Sequence, residues 1–313
     1  MRIKAPPSGR LPAAEWLSPR AAAWTLAAVA LAGALFYFGF ARPFRFQRFR
    51  KDVPARPQID AAISISQERL KANPQDIAAL VELGTLHFEK GQEFYPDAVN
   101  ELEDARRLGA MDIRLFYCLG AMYQELGLYP FALEEYLKFL RNRPEDKEVR
   151  MLAAKIYYRQ GDFSSAVTEY ERLRFRYPKD AVILENLGLS LWGGKLADRA
   201  VECFHQLEAA GGLPARRARF YLGRIAFEEG RFEEAFDLMQ KSLPSESEPE
   251  FGIPKDSMYA AAAMACRKLD RTDEARELWQ KVLHLVPNDA KAQAALRELN
   301  RRSPRHGRSK SKA

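Results

Sequence analysis

Cysteine and histidine are scarce in this chain: three of one and four of the other in 313 residues. Cys118, Cys203 and Cys266 lie far apart and form no CxxC pair. They set up neither a disulfide framework nor a zinc-ribbon spacing. Each falls in an expected helix, where a free thiol packs as a small apolar group. His87, His205, His284 and His306 are scattered, with no HExxH and no second ligand at helical spacing. GxSxG, Walker A and GxGxxG motifs are also missing. The acid pairs Glu134/Glu135 and Glu233/Glu234 fall near the polar faces of expected helices. The expectation is therefore no catalytic residue, no metal, no cofactor and no enzyme.

Charge is present but unevenly placed. The net value is +7. Residues 1–58 hold ten Lys/Arg against Glu15 and Asp52, and residues 301–313 hold six with no acid, which leaves the stretch between them at −7. A basic pI alone would suggest nucleic acid. Placement beside an apolar segment and in a terminal tail points first to membrane headgroups.

Residues Ala21 to Phe40 carry no charge. Twenty residues at helical rise span about 30 Å, the thickness of a bilayer's hydrocarbon core. Trp24 stands near one end and Phe36, Tyr37 and Phe38 near the other, as interfacial aromatics do. A cleaved signal peptide is the rival, but its apolar region is shorter, and FYFGF followed by Arg-Pro makes a poor cleavage site. The expectation is a basic segment over 1–20, a single transmembrane helix over 21–41 and a basic, aromatic juxtamembrane linker over 42–58. Arg42, Arg45, Arg48, Arg50 and Lys51 interleave there with Phe44, Phe46 and Phe49. That pattern suits an anionic membrane surface or a stop signal that fixes topology. The richer Lys/Arg flank lies on the C-terminal side, which predicts a cytoplasmic domain at the inner membrane, with a periplasmic one as the alternative.

The rest of the chain repeats. From residue 113, Phe116, Leu119, Gly120, Tyr123, Ala132, Tyr136 and Pro144 stand at offsets that return about every 34 positions. Ala154, Tyr157, Ala166, Tyr170 and Pro178 follow, then Leu184, Leu187, Gly188, Leu191, Ala200 and Phe204. This pattern resembles the tetratricopeptide repeat family over roughly residues 60–300. Small residues at repeat positions 8 and 20 let two helices approach, bulky ones at 4, 7, 11 and 24 fill the surrounding space, and Pro at 32 ends the unit. Units start at Ile77, Ile113, Lys147, Ala181, Arg216 and Asp256. The first has a two-residue longer turn. The third departs from the pattern with Arg150 and Ala153 at bulky positions, and the fourth has Gly212 in place of Pro.

The expected fold is all-α: a right-handed superhelical solenoid of about six helix–turn–helix units over 59–300, with a leading helix from Ile59 and a C-terminal capping helix whose stripe is Ala292, Ala295, Leu296 and Leu299. Residues 301–313 are expected to be a disordered basic tail. Its binding of nucleic acid is an alternative function.

The resemblance implies a concave groove lined by positions 2, 5, 9, 12 and 13 of the first helices. Its candidate residues are Tyr117, Gln124, Lys155, Tyr158, Arg159, Trp192, Arg224, Phe227, Arg267 and Lys268. Aromatics and Arg dominate well-packed interfaces. Their charge suggests a protein or peptide partner that is acidic or ends in a carboxylate. The family's carboxylate clamp is unsupported, because Val81 and Thr85 stand where it would place Lys and Asn.

Overall fold

The computed structural model of this chain describes residues 56–244 and 252–302. Among them are fourteen α-helices, one 3-10 turn and no strand. A leading helix α1 (Arg56–Ala72) precedes six pairs: α2 (Ile77–Lys90) with α3 (Tyr95–Arg107), α4 (Ile113–Glu125) with α5 (Tyr129–Asn142), and α6 (Lys147–Arg159) with α7 (Phe163–Arg176). The later pairs are α8 (Ala181–Gly193) with α9 (Ala197–Glu208), α10 (Gly212–Glu228) with α11 (Phe232–Ser242), and α12 (Lys255–Lys268) with α13 (Thr272–Leu285). A last helix, α14 (Ala290–Arg302), closes the array. Each helix packs on the ones before and after it in the chain, and several first helices also meet the first helix of the next pair.

Helix starts are set by aspartate. Asp76, Asp112, Asp146 and Asp180 sit immediately before α2, α4, α6 and α8, and each side chain accepts a backbone N–H of the first turn. Asp289 does the same for Ala292 N at 2.7 Å. The turn inside each pair is set by repeat position 15, which needs a positive φ. Gly127, Gly161 and Gly230 supply it at 77°, 78° and 80°. Lys195 at 65° and Asp270 at 54° adopt it without glycine's freedom.

Within a pair, closeness depends on position 8. A Cβ on Gly120 would lie 2.6 Å from Tyr136 Cε1, and one on Gly188 would lie 2.6 Å from Phe204 Cε1. Tyr136, Tyr170 and Phe204 are among the largest fully buried side chains. His87, at the aromatic position 11 of the first unit, is buried too, with Nδ1 2.7 Å from Glu101 Oε2 and its ring stacked on Phe94 of the added 3-10 turn.

Both ends of the described array carry a further helix. Ile59 and Ile63 of α1 are buried with Leu83 and Leu86, and Ala292 and Leu299 of α14 are buried with Trp279 and Val282. Two expectations shift. Helix α1 begins at Arg56, inside the residues assigned to the linker. Helix α10 begins at Gly212, four residues before the expected start at Arg216, because Gly211 at φ 74° turns the chain and Pro214 is tolerated in a first turn. The expected transmembrane helix over 21–41, the linker cations Arg42, Arg45, Arg48, Arg50 and Lys51, and most of the basic tail lie outside the described residues. Among the described residues, no helix is long and apolar enough to cross a membrane.

The odd position-4 residue, Arg150, is resolved by an ion pair. Its guanidinium meets Glu169, whose other oxygen takes Arg172 Nη1 at 2.7 Å, and the Arg150 and Glu169 side chains keep only 14% and 11% of their exposure. Removing one partner of such a pair strands a buried charge, whereas replacing both with apolar residues is often neutral. Glu169→Leu is expected to destabilise by about 3 kcal/mol in urea unfolding. Adding Arg150→Leu, which restores the apolar position 4 of the other units, should recover most of that loss.

Candidate protein-binding face

The first helices α4, α6, α8, α10 and α12 carry the expected groove residues. Tyr117, Lys155, Tyr158, Arg159, Trp192, Arg224 and Phe227 are half-buried there, while Arg267 and Lys268 are exposed. Gln124 is the exception. It is buried at 7% exposure, and its Oε1 accepts from Tyr136 Oη–H at 3.3 Å. Its amide is committed inside the repeat, so it is removed from the groove set.

The strongest grouping lies between α8 and α10. Trp192 Nε1–H donates to Glu228 Oε2 at 3.0 Å, and the Arg224 guanidinium lies over the Trp192 ring at 5.7 Å. Beside them, Glu185 takes Arg217 at 2.7 Å and Tyr221 Oη–H at 3.0 Å. Burial raises the Glu185 carboxyl above the ordinary carboxylate range, opposed by Arg217 and the Tyr221 hydrogen bond. The structure thus brings Trp192 and Arg224 together and neutralises part of the expected positive charge. Arg267 is likewise paired, with Glu298 at 3.4 Å.

A regular contact joins successive units. The first residue of several second helices, at repeat position 17, is covered by position 13 of the next unit. Tyr95 Oη–H donates to Glu125 Oε2 at 3.1 Å. Arg159 lies over Tyr129 at 4.5 Å, and Lys268 over Phe232 at 5.5 Å. At the junction between, Gly193 fills the same place, where a Cβ would sit 2.4 Å from Phe163 Cε1. Position 12 adds rings from the same unit: Tyr158 meets Phe163 edge-on at 5.4 Å, and Phe227 meets Phe232 at 5.4 Å. Arg159, Arg224 and Lys268 therefore rest on aromatic faces and have no carboxylate partner among the described residues. A guanidinium lying on a ring keeps its donors available for a carboxylate.

Lys155 and Glu148 stand seven residues apart, on one face of α6. Burial, with Asp146 adding to it, pushes the Glu148 carboxyl up to about 7, while Lys155 opposes. Burial holds the Lys155 ammonium below the ordinary lysine range, with Glu148 opposing. Glu148 and Glu185 stand at positions 2 and 5 of their units, which the resemblance places on the groove, whereas Tyr221 and the position-17 rings were not among the expected site residues. Tyr129, Phe163 and Phe232 recur close to the 34-residue step, so a signal for them existed. The three cysteines are buried as free thiols, and desolvation pushes Cys118 up to about 12 and Cys266 up to about 11. No cluster of metal-ligating side chains occurs among the described residues.

Against known proteins, residues 117–181, 151–202 and 185–248 match the tetratricopeptide repeat model. Residues 117–248 thus match tetratricopeptide repeats, with the units on either side outside the match. The C-terminal part of a TPR repeat-containing protein from Cytophaga hutchinsonii has the same fold, at a TM-score of 0.59 and 15% identity, covering 85% of this chain and 98% of that one. A tetratricopeptide repeat protein from Parabacteroides merdae is 18% identical over 78% of this chain and 93% of its own, at a TM-score of 0.49. The BBSome complex member BBS4 of Bos taurus is 22% identical over 228 residues, 73% of this chain; the match spans 42% of that protein's length.

The Glu148 environment has a sign that can be checked. Its folded-state pKa, about 7, lies above the ordinary 4.5. The carboxyl therefore adds no penalty below about pH 4.5 and destabilises the fold as it ionises with rising pH. Glu148→Gln is expected to melt higher than the parent at pH 8. By circular dichroism, the difference should vanish at pH 4.

Proposed function

We propose that this chain is a membrane-tethered adaptor whose A-helix face holds a protein or peptide segment and recruits it to the membrane. The observation that carries the reading is the run of donors on rings across repeats 3 to 5, with Arg159 on Tyr129 and Arg224 on Trp192. Such a face suits an extended or helical segment with an acidic side chain or a terminal carboxylate. The relative from Bos taurus is itself a complex member, which agrees with an assembly role. Tetratricopeptide scaffolds are typically non-catalytic, and the buried, high-pKa thiols agree with that.

The tether rests on the uncharged run Ala21 to Phe40 and its Arg/Phe flank over 42–51. The Lys/Arg bias favours repeats on the cytoplasmic side of an inner membrane. The second reading, a periplasmic envelope-assembly or secretion factor, uses the same face from the other side. Alkaline phosphatase fused after residue 300 is expected to be inactive; an active fusion establishes the periplasmic reading instead.

The binding face is tested by photo-crosslinking from Tyr158 and from Phe227 in the full chain, in mild detergent. Both positions are expected to capture the same protein. Trp192→Ala and Arg224→Glu should each lower its yield by an order of magnitude or more, since truncating an interface hot spot costs about 2 kcal/mol or more. Yields unchanged in both variants would exclude the A-helix face as the site.

A further inference from the structure

We propose a second interaction surface, at the C-terminal ends of α5 and α7, that takes anionic lipid headgroups. Its setting, a bilayer within reach, rests on the tethered reading above; its residues do not belong to the A-helix face.

Phe175 is 93% exposed, the most exposed of the large apolar side chains among the described residues. It stands in the last turn of α7 within RLRFRYPK, residues 172–179, which repeats the Phe–Arg alternation of residues 42–51. Phe175 occupies repeat position 29, and Arg141 occupies the same position one unit earlier. Equivalent positions of stacked units are lateral neighbours, so the ring and the guanidinium belong to one row along the array. Arg176 pairs with Glu145, which ties the end of α7 to the connection after α5 and brings Arg143 into the same neighbourhood. Lys179 follows in the chain, and Arg174 Nη1 reaches Cys203 Sγ at 3.8 Å.

The carboxylates on this edge are already engaged. Glu145 is held by Arg176, Glu169 by Arg150 and Arg172, and Glu171 by Arg199. Arg141, Arg143 and Lys179 have no carboxylate partner among the described residues. Cations in the last turn of a helix are explained by its dipole. A phenylalanine held in water between them is not, because burial of its ring is what normally recovers the cost of hydrating it.

An interfacial site uses both features at once. The ring enters the boundary between headgroups and acyl chains, and the cations stay at the phosphates. Single-stranded nucleic acid would need successive rings as a stacking platform. The neighbouring Tyr177 cannot extend one, since Lys147 Nζ covers it at 4.7 Å. The observations therefore favour lipid.

The test uses the full chain carrying Phe175→Trp, read against the parent with its own tryptophans, in vesicles with brominated acyl chains. Added phosphatidylserine is expected to quench and blue-shift the emission from position 175, while phosphatidylcholine alone leaves it unchanged. Arg141→Glu with Arg143→Glu should move the phosphatidylserine titration by tenfold or more, since each cation near an anionic surface contributes about fivefold (about 1 kcal/mol). Thermal melts matching the parent would show that these surface variants are folded. Flotation with phosphatidylcholine vesicles reads the tether separately. If the chain does not float there, the tethered reading fails, while quenching by phosphatidylserine vesicles still judges the surface. Equal emission at position 175 with and without phosphatidylserine overturns the proposal. So does salt-sensitive oligonucleotide binding that depends on Arg141 and Arg143 while the vesicle signal does not, which would reassign the surface to nucleic acid.

Discussion

The contact between a missing side chain and a ring, Gly120 against Tyr136 and Gly188 against Phe204, is what the rest of the array depends on. Because no Cβ intervenes, the two helices of a unit close until the ring at position 24 is fully buried. That approach fixes which stripe of the first helix faces inward. The remaining stripe, at positions 9 and 13, is then available to the next unit and to a ligand, with position 12 at its border against the partner helix. In the third unit Ala154 takes the glycine's place and Tyr170 stays buried, so a methyl is the largest side chain at position 8 among these three units. Binding geometry is thus a consequence of packing inside each unit.

Electrostatics refine that face more than they create it. Glu185 gathers Arg217 and Tyr221, and Glu228 takes the Trp192 indole, so the centre of the face is tied together across successive first helices. The cations that remain without carboxylates sit over rings. This limits the side-chain freedom that a partner would otherwise have to freeze out on binding. The same logic operates at Arg150, where a charge occupies an apolar position because Glu169 comes with it.

Much of this was legible in the sequence, and the reason is range. The starts of α2, α4, α6 and α8 coincide with the expected unit starts at Ile77, Ile113, Lys147 and Ala181, because the signals at positions 8, 20 and 24 report contacts within a single unit. The start of α10 was misplaced since Gly211 and Gly212 were read against a missing proline, when their positive φ values turn the chain into a longer helix. Gln124 was misassigned because its amide reaches back to the position-24 side chain of its own unit. Tyr136 has a hydroxyl that engages it, and Phe204 has none to offer Trp192. Pairs such as Trp192 with Glu228, or Tyr221 with Glu185, span 36 residues, and no local pattern marks them.

The junction between positions 17 and 13 carries one further consequence. Its geometry recurs while its chemistry changes from a phenol–carboxylate hydrogen bond at Tyr95, through a stacked cation at Tyr129, to bare backbone against Phe163. Interlocking of that kind is modular. Neighbouring units can be drawn together firmly or loosely by changing a single side chain, leaving both helical hairpins intact. The contact that joins neighbouring units therefore differs from joint to joint, and the glycine joint between the third and fourth units sits directly beside Trp192.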